Sequence, residues 1–453
     1  MLQLKDKQVL VLGLGNTGLS ALRWLARQGA RLSVADTRAT PPGLEDIKQE
    51  FPGLSIHLGA LTAAAFEHAE LIVVSPGIPV AEPEIQAAIV RGIPVVGDVE
   101  LFAQAKSANA KVIAITGANG KSTVTTLVGE ICKAAGFKTV VAGNIGLPVL
   151  EAMDEAAEVY VLELSSFQLE TTYSLQADAA TVLNISEDHM DRYEGMQAYA
   201  NAKARIFAHA SLQVLNADDA WSREMAIDGI AKLTFGLGLP VSDMDFGLLH
   251  EAGDVWLAQG QRQLMPVSQL KIAGLHNAAN ALAALALCSA LHIDEAVALQ
   301  ALRDFTGLPH RVQWVADVGG VSFYDDSKGT NVGATCAALN GLSNKVVLIA
   351  GGDGKGQDFS PLQAPVAQHA RAVVLIGRDA GLIATALQET GVQLEPAASL
   401  ESAVEQAFKL AEPGDAVLLS PACASLDMFR NYVHRAEVFV QAVHDLQVSE
   451  VRA

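Results

Sequence analysis

Short runs of Val, Ile, Leu and Ala recur along this chain, and most stop at Gly, Ser, Asp or Asn. In the first hundred residues they are QVLVLGLG, RLSVADTR, LIVVSPG and IPVVGD. Unbroken apolar runs of this length predict strands covered on both faces, as in parallel sheets. Stretches such as LSALRWLARQGA lie between them with apolar residues at helical spacing, so the layout is βαβ. A second set starts at KVIAITG and continues with TVVAGN, VYVLELSS, AATVLNIS and LQVLNADD; a third holds KVVLIAGG, AVVLIGR and AVLLSPA. Between these two sets, DFGLLHEAGDVWLAQGQRQLMPV alternates and turns at glycines, which predicts two or three short antiparallel strands. The expectation is an α/β chain with three sheets and domain boundaries near residues 98 and 304.

Composition agrees with this division. The chain has 453 residues, half of them hydrophobic, enough for about three domains of ~150 residues with real cores. Its most apolar long segment, HNAANALAALALCSALHI, is shorter in uninterrupted apolar length than the ~20 residues a membrane span needs, and is expected to be a buried helix. The N-terminal apolar run is too short for a signal peptide and leads straight into a strand. A net charge of −19 argues against nucleic acid or an anionic membrane as partner, while leaving room for small anionic ligands at local cations and helix N-termini. Cys132, Cys288, Cys336 and Cys423 are far apart with no C-x-x-C, as expected of reduced core thiols in a cytosolic protein.

Strand ends are where ligands bind in open α/β sheets. The first, GLGNTG, sets Gly13, Gly15 and Gly18 in G-x-G-x-x-G, with Asp36 at the end of the next strand. That spacing fits an NAD(P) dehydrogenase, a bare strand-to-helix turn, or another nucleotide on the helix N-terminus. The second, ITGANGKST, lacks the first glycine of the usual P-loop: Ile115 stands there, and Gly117 is the nearest glycine. A strand before it and a helix after it, closed by Gly136, still suit a phosphate, with Lys121 as cation and Ser122 as a Mg²⁺ ligand. Glu163 ends a further strand, and Asp188, His189 and Asp191 follow another, so a carboxylate and an imidazole join the Lys-Ser loop in a metal–nucleotide site. Lys203, on an expected helix in YANAKARIF, reads from the residues alone as a solvated lysine.

Together, TGANGKST, GNIG, ELSSFQLE, NISEDHMDRY, GLHNAANALAALA, GLPHRVQ, DDSKGTN, GGDGKG and SPACASLDMF resemble, in order, the Mur ligases of peptidoglycan synthesis. The pattern is nearest to the D-glutamate-adding branch, and the D-N-P-R motif of the diaminopimelate-adding branch is missing. The resemblance implies a Rossmann-like UDP-binding domain (1–98), a P-loop ATPase-like central domain (99–304) and a Rossmann-like C-terminal domain (305–453) that binds the incoming amino acid. It implies a cytoplasmic, monomeric enzyme using ATP and two Mg²⁺ ions to join UDP-N-acetylmuramoyl-L-alanine and D-glutamate.

Residue by residue, the resemblance implies that Gly117, Asn119, Gly120, Lys121, Ser122 and Thr123 hold the ATP phosphates. Asn277 and Asn280 would serve the adenine side, and Arg311, Asp326 and Lys328 the ribose and γ-phosphate. Ser122, Glu163, His189 and a carbamylated Lys203 would hold metal, with Lys121, His189 and Lys203 catalytic. For the UDP-substrate the matching positions are Asn16, Thr17, Gly18, Thr37, Arg38, Ser75, Gly77, Asn144 and Gln168. For D-glutamate they are Thr330, Lys355, Ser425, Leu426 and Tyr432, where the nearest family pattern has Phe instead of Tyr. Folylpolyglutamate synthase shares the shortened loop and is an alternative, as are an NAD(P)-dependent oxidoreductase and a non-catalytic nucleotide-binding regulator.

Overall fold

The computed structural model describes residues 3–452 apart from Ala252, Ala273 and Ser343. Two compact units emerge. One takes in the chain up to Ile185 with Gln197–Met265 and Ala281–Leu302; the other has Ser186–Met196, Pro266–Asn280 and the chain from Arg303 on.

Among the described residues the first unit carries two sheets. In one, β1 (Gln8–Leu12), β2 (Arg31–Asp36), β3 (Ser55–Leu58), β4 (Leu71–Val74) and β5 (Val95–Val96) lie in the order β3-β2-β1-β4-β5, all parallel. The order reverses between β1 and β4, the switch point where such sheets open a crevice. In the other, β6 (Lys111–Thr116), β7 (Thr139–Gly143), β8 (Val159–Glu163), β9 (Ala179–Val182), β10 (Leu212–Asn216), β11 (Ala231–Phe235), β12 (Phe246–Glu251), β13 (Asp254–Gln259) and β14 (Arg262–Pro266) are ordered β14-β13-β12-β11-β10-β9-β6-β8-β7. Pairings from β7 through β12 are parallel, and β12 and β13 pair antiparallel, so the small antiparallel addition is present. The second unit holds β15 (Gln313–Val318), β16 (Val321–Asp325), β17 (Val346–Gly351), β18 (Ala370–Ile376), β19 (Gln393–Pro396) and β20 (Ala416–Leu419), ordered β15-β16-β20-β17-β18-β19 and parallel except for β15.

The apolar runs explain the centres of these sheets. All of β4, β8, β9, β17 and β20 is buried, as is β6 beyond Lys111. The strands that the pattern did not announce are different in kind. The edge strands β3, β15 and β19 are largely exposed and need no continuous apolar run. The inner strands β11 and β16 alternate or carry polar residues, AKLTF and VSFYD. Segment 276–293 is mainly the helix Leu275–Cys288, whose alanines and leucines from Ala281 to Leu287 are buried. No helix among the described residues is long and apolar enough to cross a membrane.

Candidate functional site

The crevice at the first switch point is a cleft of about 520 Å³. Gly13, Gly15, Asn16 and Thr17 reach it from the loop after β1, Thr37 and Arg38 from the end of β2, and Ser75 and Gly77 from the end of β4. Asn144 and Gln168 close it from the second sheet. Thus eight of the nine residues expected to meet the UDP-substrate line one cleft. Gly18 does not. Its Cβ would sit 1.8 Å from the Gly13 carbonyl oxygen, so it permits close packing of the helix Asn16–Arg27 against β1. Asp36 is engaged within the protein. Leu14 N–H donates to Oδ2 (2.7 Å), and the Arg38 guanidinium binds both oxygens (2.9 and 2.7 Å). Burial pushes this carboxyl up, but the Arg38 bonds and the Leu14 amide outweigh it and hold it below the ordinary range. In a dinucleotide site this acid would be free for a ribose hydroxyl; here it instead fixes Arg38 at the cleft.

The second loop begins where β6 ends. Gly117 (φ +152°) leaves no room for a side chain, because a Cβ would meet Leu183 Cβ at 3.0 Å and Leu183 N at 3.2 Å. Gly120 (φ +85°) is the N-cap of the helix Lys121–Ala134. Ala118 N–H donates to Asn184 O (2.9 Å) and Asn119 N–H to Asn184 Oδ1 (2.8 Å), while Asn184 Nδ2 donates back to Asn119 O (3.0 Å). Asn184 is therefore a buttress of the loop that the motif reading passed over; a polar residue two positions after the end of β9 was the available signal. Lys121 Nζ curls onto the loop, donating to Gly117 O (2.9 Å) and Ala118 O (2.8 Å). Ser122 and Thr123 are buried in the first turn of the helix.

Around that loop, Asn144 Nδ2 donates to Glu163 Oε1 (2.7 Å) and Asn144 N–H to Glu163 O (2.8 Å). Glu163 is buried and its Oε2 meets no hydrogen-bond donor. Lys203 overturns the solvated reading: it is 2% exposed on the helix Met196–Ala204. Its ammonium donates to Gly117 O (2.9 Å) and Thr116 Oγ1 (3.3 Å) and lies 4.7 Å from the Tyr199 ring centre.

The remaining predicted residues belong to the second unit. His189 has φ +58°, and its Nε2 is 3.7 Å from Asp188 Oδ2. Asp188 pairs with the Lys355 ammonium and accepts from Asn331 Nδ2 (3.4 Å). Asn280 Nδ2 donates to Asn277 Oδ1 (3.1 Å), one helical turn away. The neighbouring His276 imidazole is driven below its ordinary pKa by burial and by the Arg311 charge. Asp326 is buried, accepting from Ser420 Oγ (2.7 Å) and Val312 N–H (3.3 Å), and burial pushes its carboxyl up to about 7. Lys328 Nζ stands 3.9 Å from the centre of the Tyr432 ring, a cation–π contact that gives this aromatic position a partner. Thr330 N–H donates to Lys328 O (2.9 Å); Ser425 is buried and Leu426 is exposed.

A hard cation fits the first-unit site. The orphaned Glu163 Oε2 is a buried anionic oxygen, and Ser122 offers a hydroxyl at a helix N-terminus. Mg²⁺ commonly takes one or two protein oxygens and completes its shell with water and substrate phosphates. Among the described residues no cluster of three or more His, Cys, Asp or Glu is arranged for a metal. A larger cavity, about 870 Å³, is lined by Trp24, Arg27, Gln104 and Glu151 among others, and none of the predicted site residues line it. Tyr160, near the start of β8, places that cavity toward the amino ends of the strands, away from the loops that carry the motifs.

Comparison with known proteins adds an independent line. Residues 7–97 match the model for the Mur ligase MurD-like N-terminal domain, 115–288 the Mur ligase middle domain, and 310–423 the Mur ligase glutamate ligase domain. The chain is similar to the UDP-N-acetylmuramoylalanine--D-glutamate ligase of Methylobacillus flagellatus, with 80% identity over 453 residues covering 100% of both chains. It is also similar to the enzyme of that name from Nitrosomonas europaea, with 56% identity over 96% of each chain. Among solved structures it shares its fold with UDP-N-acetylmuramate-alanine ligase from Thermotoga maritima (TM-score 0.60, 20% identity, 97% and 99% of the two chains). A pseudomurein peptide ligase type C from Methanothermus fervidus is similar too (TM-score 0.59, 19% identity, 91% and 96%).

Proposed function

We infer the reaction from one premise: this chain belongs to the Mur ligase family. It is an ATP-dependent amide ligase that adds D-glutamate to UDP-N-acetylmuramoyl-L-alanine in the synthesis of peptidoglycan precursors. The observation that carries this is the 80% identity along the full length to a D-glutamate ligase, and the occupied Asp36 argues against the dehydrogenase reading.

A carboxylate is a poor electrophile, since its charge repels nucleophiles and its oxygen leaves badly. The terminal carboxylate of the UDP-substrate attacks the γ-phosphorus of ATP, and ADP departs. The resulting acyl phosphate is attacked at its carbonyl carbon by the D-glutamate amine, which loses a proton as phosphate leaves. The protein's work is positioning and charge neutralisation. Asn16, Thr17, Thr37, Arg38, Ser75 and Gly77 hold the UDP end, with Gly18 keeping the helix N-terminus close. Asn144 and Gln168 lie along the sugar and its peptide. Lys121 exchanges the loop carbonyls for the β- and γ-phosphates, and Gly117, Asn119, Gly120 and Thr123 frame them. Asn277 and Asn280 serve the adenine; Arg311, Asp326 and Lys328 serve the ribose and γ-phosphate.

Ser122 and Glu163 would hold one Mg²⁺, and His189 and Lys203 as its carbamate would each offer ligands to a second; bound Mg²⁺ would supply neutralisation of phosphate charge. An ammonium at Lys203 repels a metal, whereas a carbamate offers anionic oxygens. Lys355 leaves Asp188 to pair with a D-glutamate carboxylate, beside Thr330, Ser425, Leu426 and Tyr432. The enzyme works as a cytoplasmic monomer, with domains dividing near residues 98 and 304.

Phosphate release tests this reading. With ATP, Mg²⁺ and UDP-N-acetylmuramoyl-L-alanine, D-glutamate drives release and L-glutamate does not. Release with a folate in place of the UDP-sugar, or none with D-glutamate, contradicts it.

A further inference from the structure

The cleft residue Gln168 sits on a helix of only five residues, Ser166–Glu170. A single turn is too short to hold its own shape, because its last carbonyls find no partner inside it. Its start is closed by a capping box: Ser165 N–H donates to Gln168 Oε1 (3.1 Å) and Gln168 N–H to Ser165 Oγ (3.2 Å). Beyond its end the chain is held from outside. Arg205 Nε donates to Leu169 O (2.7 Å) and Arg205 Nη2 to Thr172 O (2.9 Å). The same guanidinium lies 5.2 Å from the centre of the Tyr173 ring. The next two amides, of Tyr173 and Ser174, donate to the buried Glu100 carboxylate (2.7 and 2.8 Å) on the helix Asp98–Ala105. A cation takes the carbonyls of this segment and an anion takes its amides, the pairing that makes each hydrogen bond strong.

Arg205 stands two positions after Lys203, on a turn anchored by the buried Ile206 and Phe207. Lys203 has its own attachments, Gly117 O (2.9 Å) and Thr116 Oγ1 (3.3 Å). The Arg205 side chain is exposed, so it fills no space in the core, and it does not line the cleft. What it restrains is the turn that carries Gln168. We propose that Arg205 is a positioning residue for the UDP-substrate: by clamping Leu169 O and Thr172 O to the element that bears Lys203, it holds Gln168 at the wall of the cleft. This rests on the ligase reading for the identity of the ligand. Arg205 acts through Gln168 alone.

The test is a double-mutant cycle on Arg205→Met and Gln168→Ala, with Arg205→Lys alongside. Methionine keeps an unbranched stem and removes every donor; lysine keeps the charge and can reach one carbonyl. Kd for UDP-N-acetylmuramoyl-L-alanine and for ATP is measured by calorimetry, KM and kcat by phosphate release, and urea unfolding is followed in parallel. We expect Arg205→Met to raise Kd and KM for the UDP-substrate about tenfold, the order of one hydrogen bond to a charged group. Kd for ATP, KM for D-glutamate and kcat should stay within about threefold of the parent, and Arg205→Lys should fall between parent and Arg205→Met. The double variant should bind no more weakly than Gln168→Ala. Parental Kd in Arg205→Met or in Gln168→Ala would overturn the proposal, as would additive losses in the double variant. A fall in stability with Kd for both ligands raised together would overturn it as well, since that marks a purely structural role. A parent that fails to bind UDP-N-acetylmuramoyl-L-alanine would strike the ligase reading and this proposal with it, whereas parental Kd in Arg205→Met strikes the proposal alone.

Discussion

Asp98 and Lys203 are buried charges that spacing does not announce. A lysine in YANAKARIF looks like any helix-surface lysine, and an aspartate opening a helix looks like a dipole partner; only burial separates them from those readings. For Asp98 burial pushes the carboxyl up to about 6 from 3.8. A carboxyl raised on folding is stabilising when protonated and loses that contribution as pH rises through about 6. Asp98→Asn should therefore be more stable than the parent at pH 8, on the order of 2 kcal/mol, with the difference shrinking toward pH 4. Urea unfolding at the two pH values checks this; a constant or reversed difference contradicts it. For Lys203, replacement by Ala should abolish ligation with partial rescue by a small added carboxylate, measured as phosphate release. Normal activity in that variant would refute its metal role. Lys121→Ala should lose ATP turnover while its circular dichroism stays that of the parent; unchanged turnover would count against the loop assignment.

At the scale of elements, the central strands were legible because a strand covered on both faces must be apolar throughout, as β6, β8 and β17 are. The edges β3, β15 and β19 were not, because solvent accepts whatever they carry. Loops at strand ends were legible where glycine is obligatory. Gly117 is one such place, and Gly143 (φ +108°) is another: a Cβ there would stand 2.4 Å from Glu163 O. Gly143→Ala should cost about 2 kcal/mol in urea unfolding from backbone strain. It should also lower turnover, since Asn144 and Glu163 would have to move; parental stability and turnover together would contradict this. The shortened loop ITGANGKST is braced from outside by Asn184. Nothing within the motif announced that residue, because its contact spans 65 positions.

For the whole molecule, three sheets were foreseeable from βαβ alternation, and eight of the nine residues proposed for the UDP-substrate line one cleft. The choice of reaction was not available from fold, since Rossmann-like sheets host many chemistries; it came from the ordered motifs and the long identity to D-glutamate ligases. The central claim is that a carboxylate is activated by phosphorylation before D-glutamate attacks. The most direct measurement is the fate of ¹⁸O placed in the terminal carboxylate of UDP-N-acetylmuramoyl-L-alanine. During D-glutamate addition one labelled oxygen should leave with each phosphate released, and mass spectrometry of the phosphate reads it. Unlabelled phosphate accompanying amide formation would contradict the account.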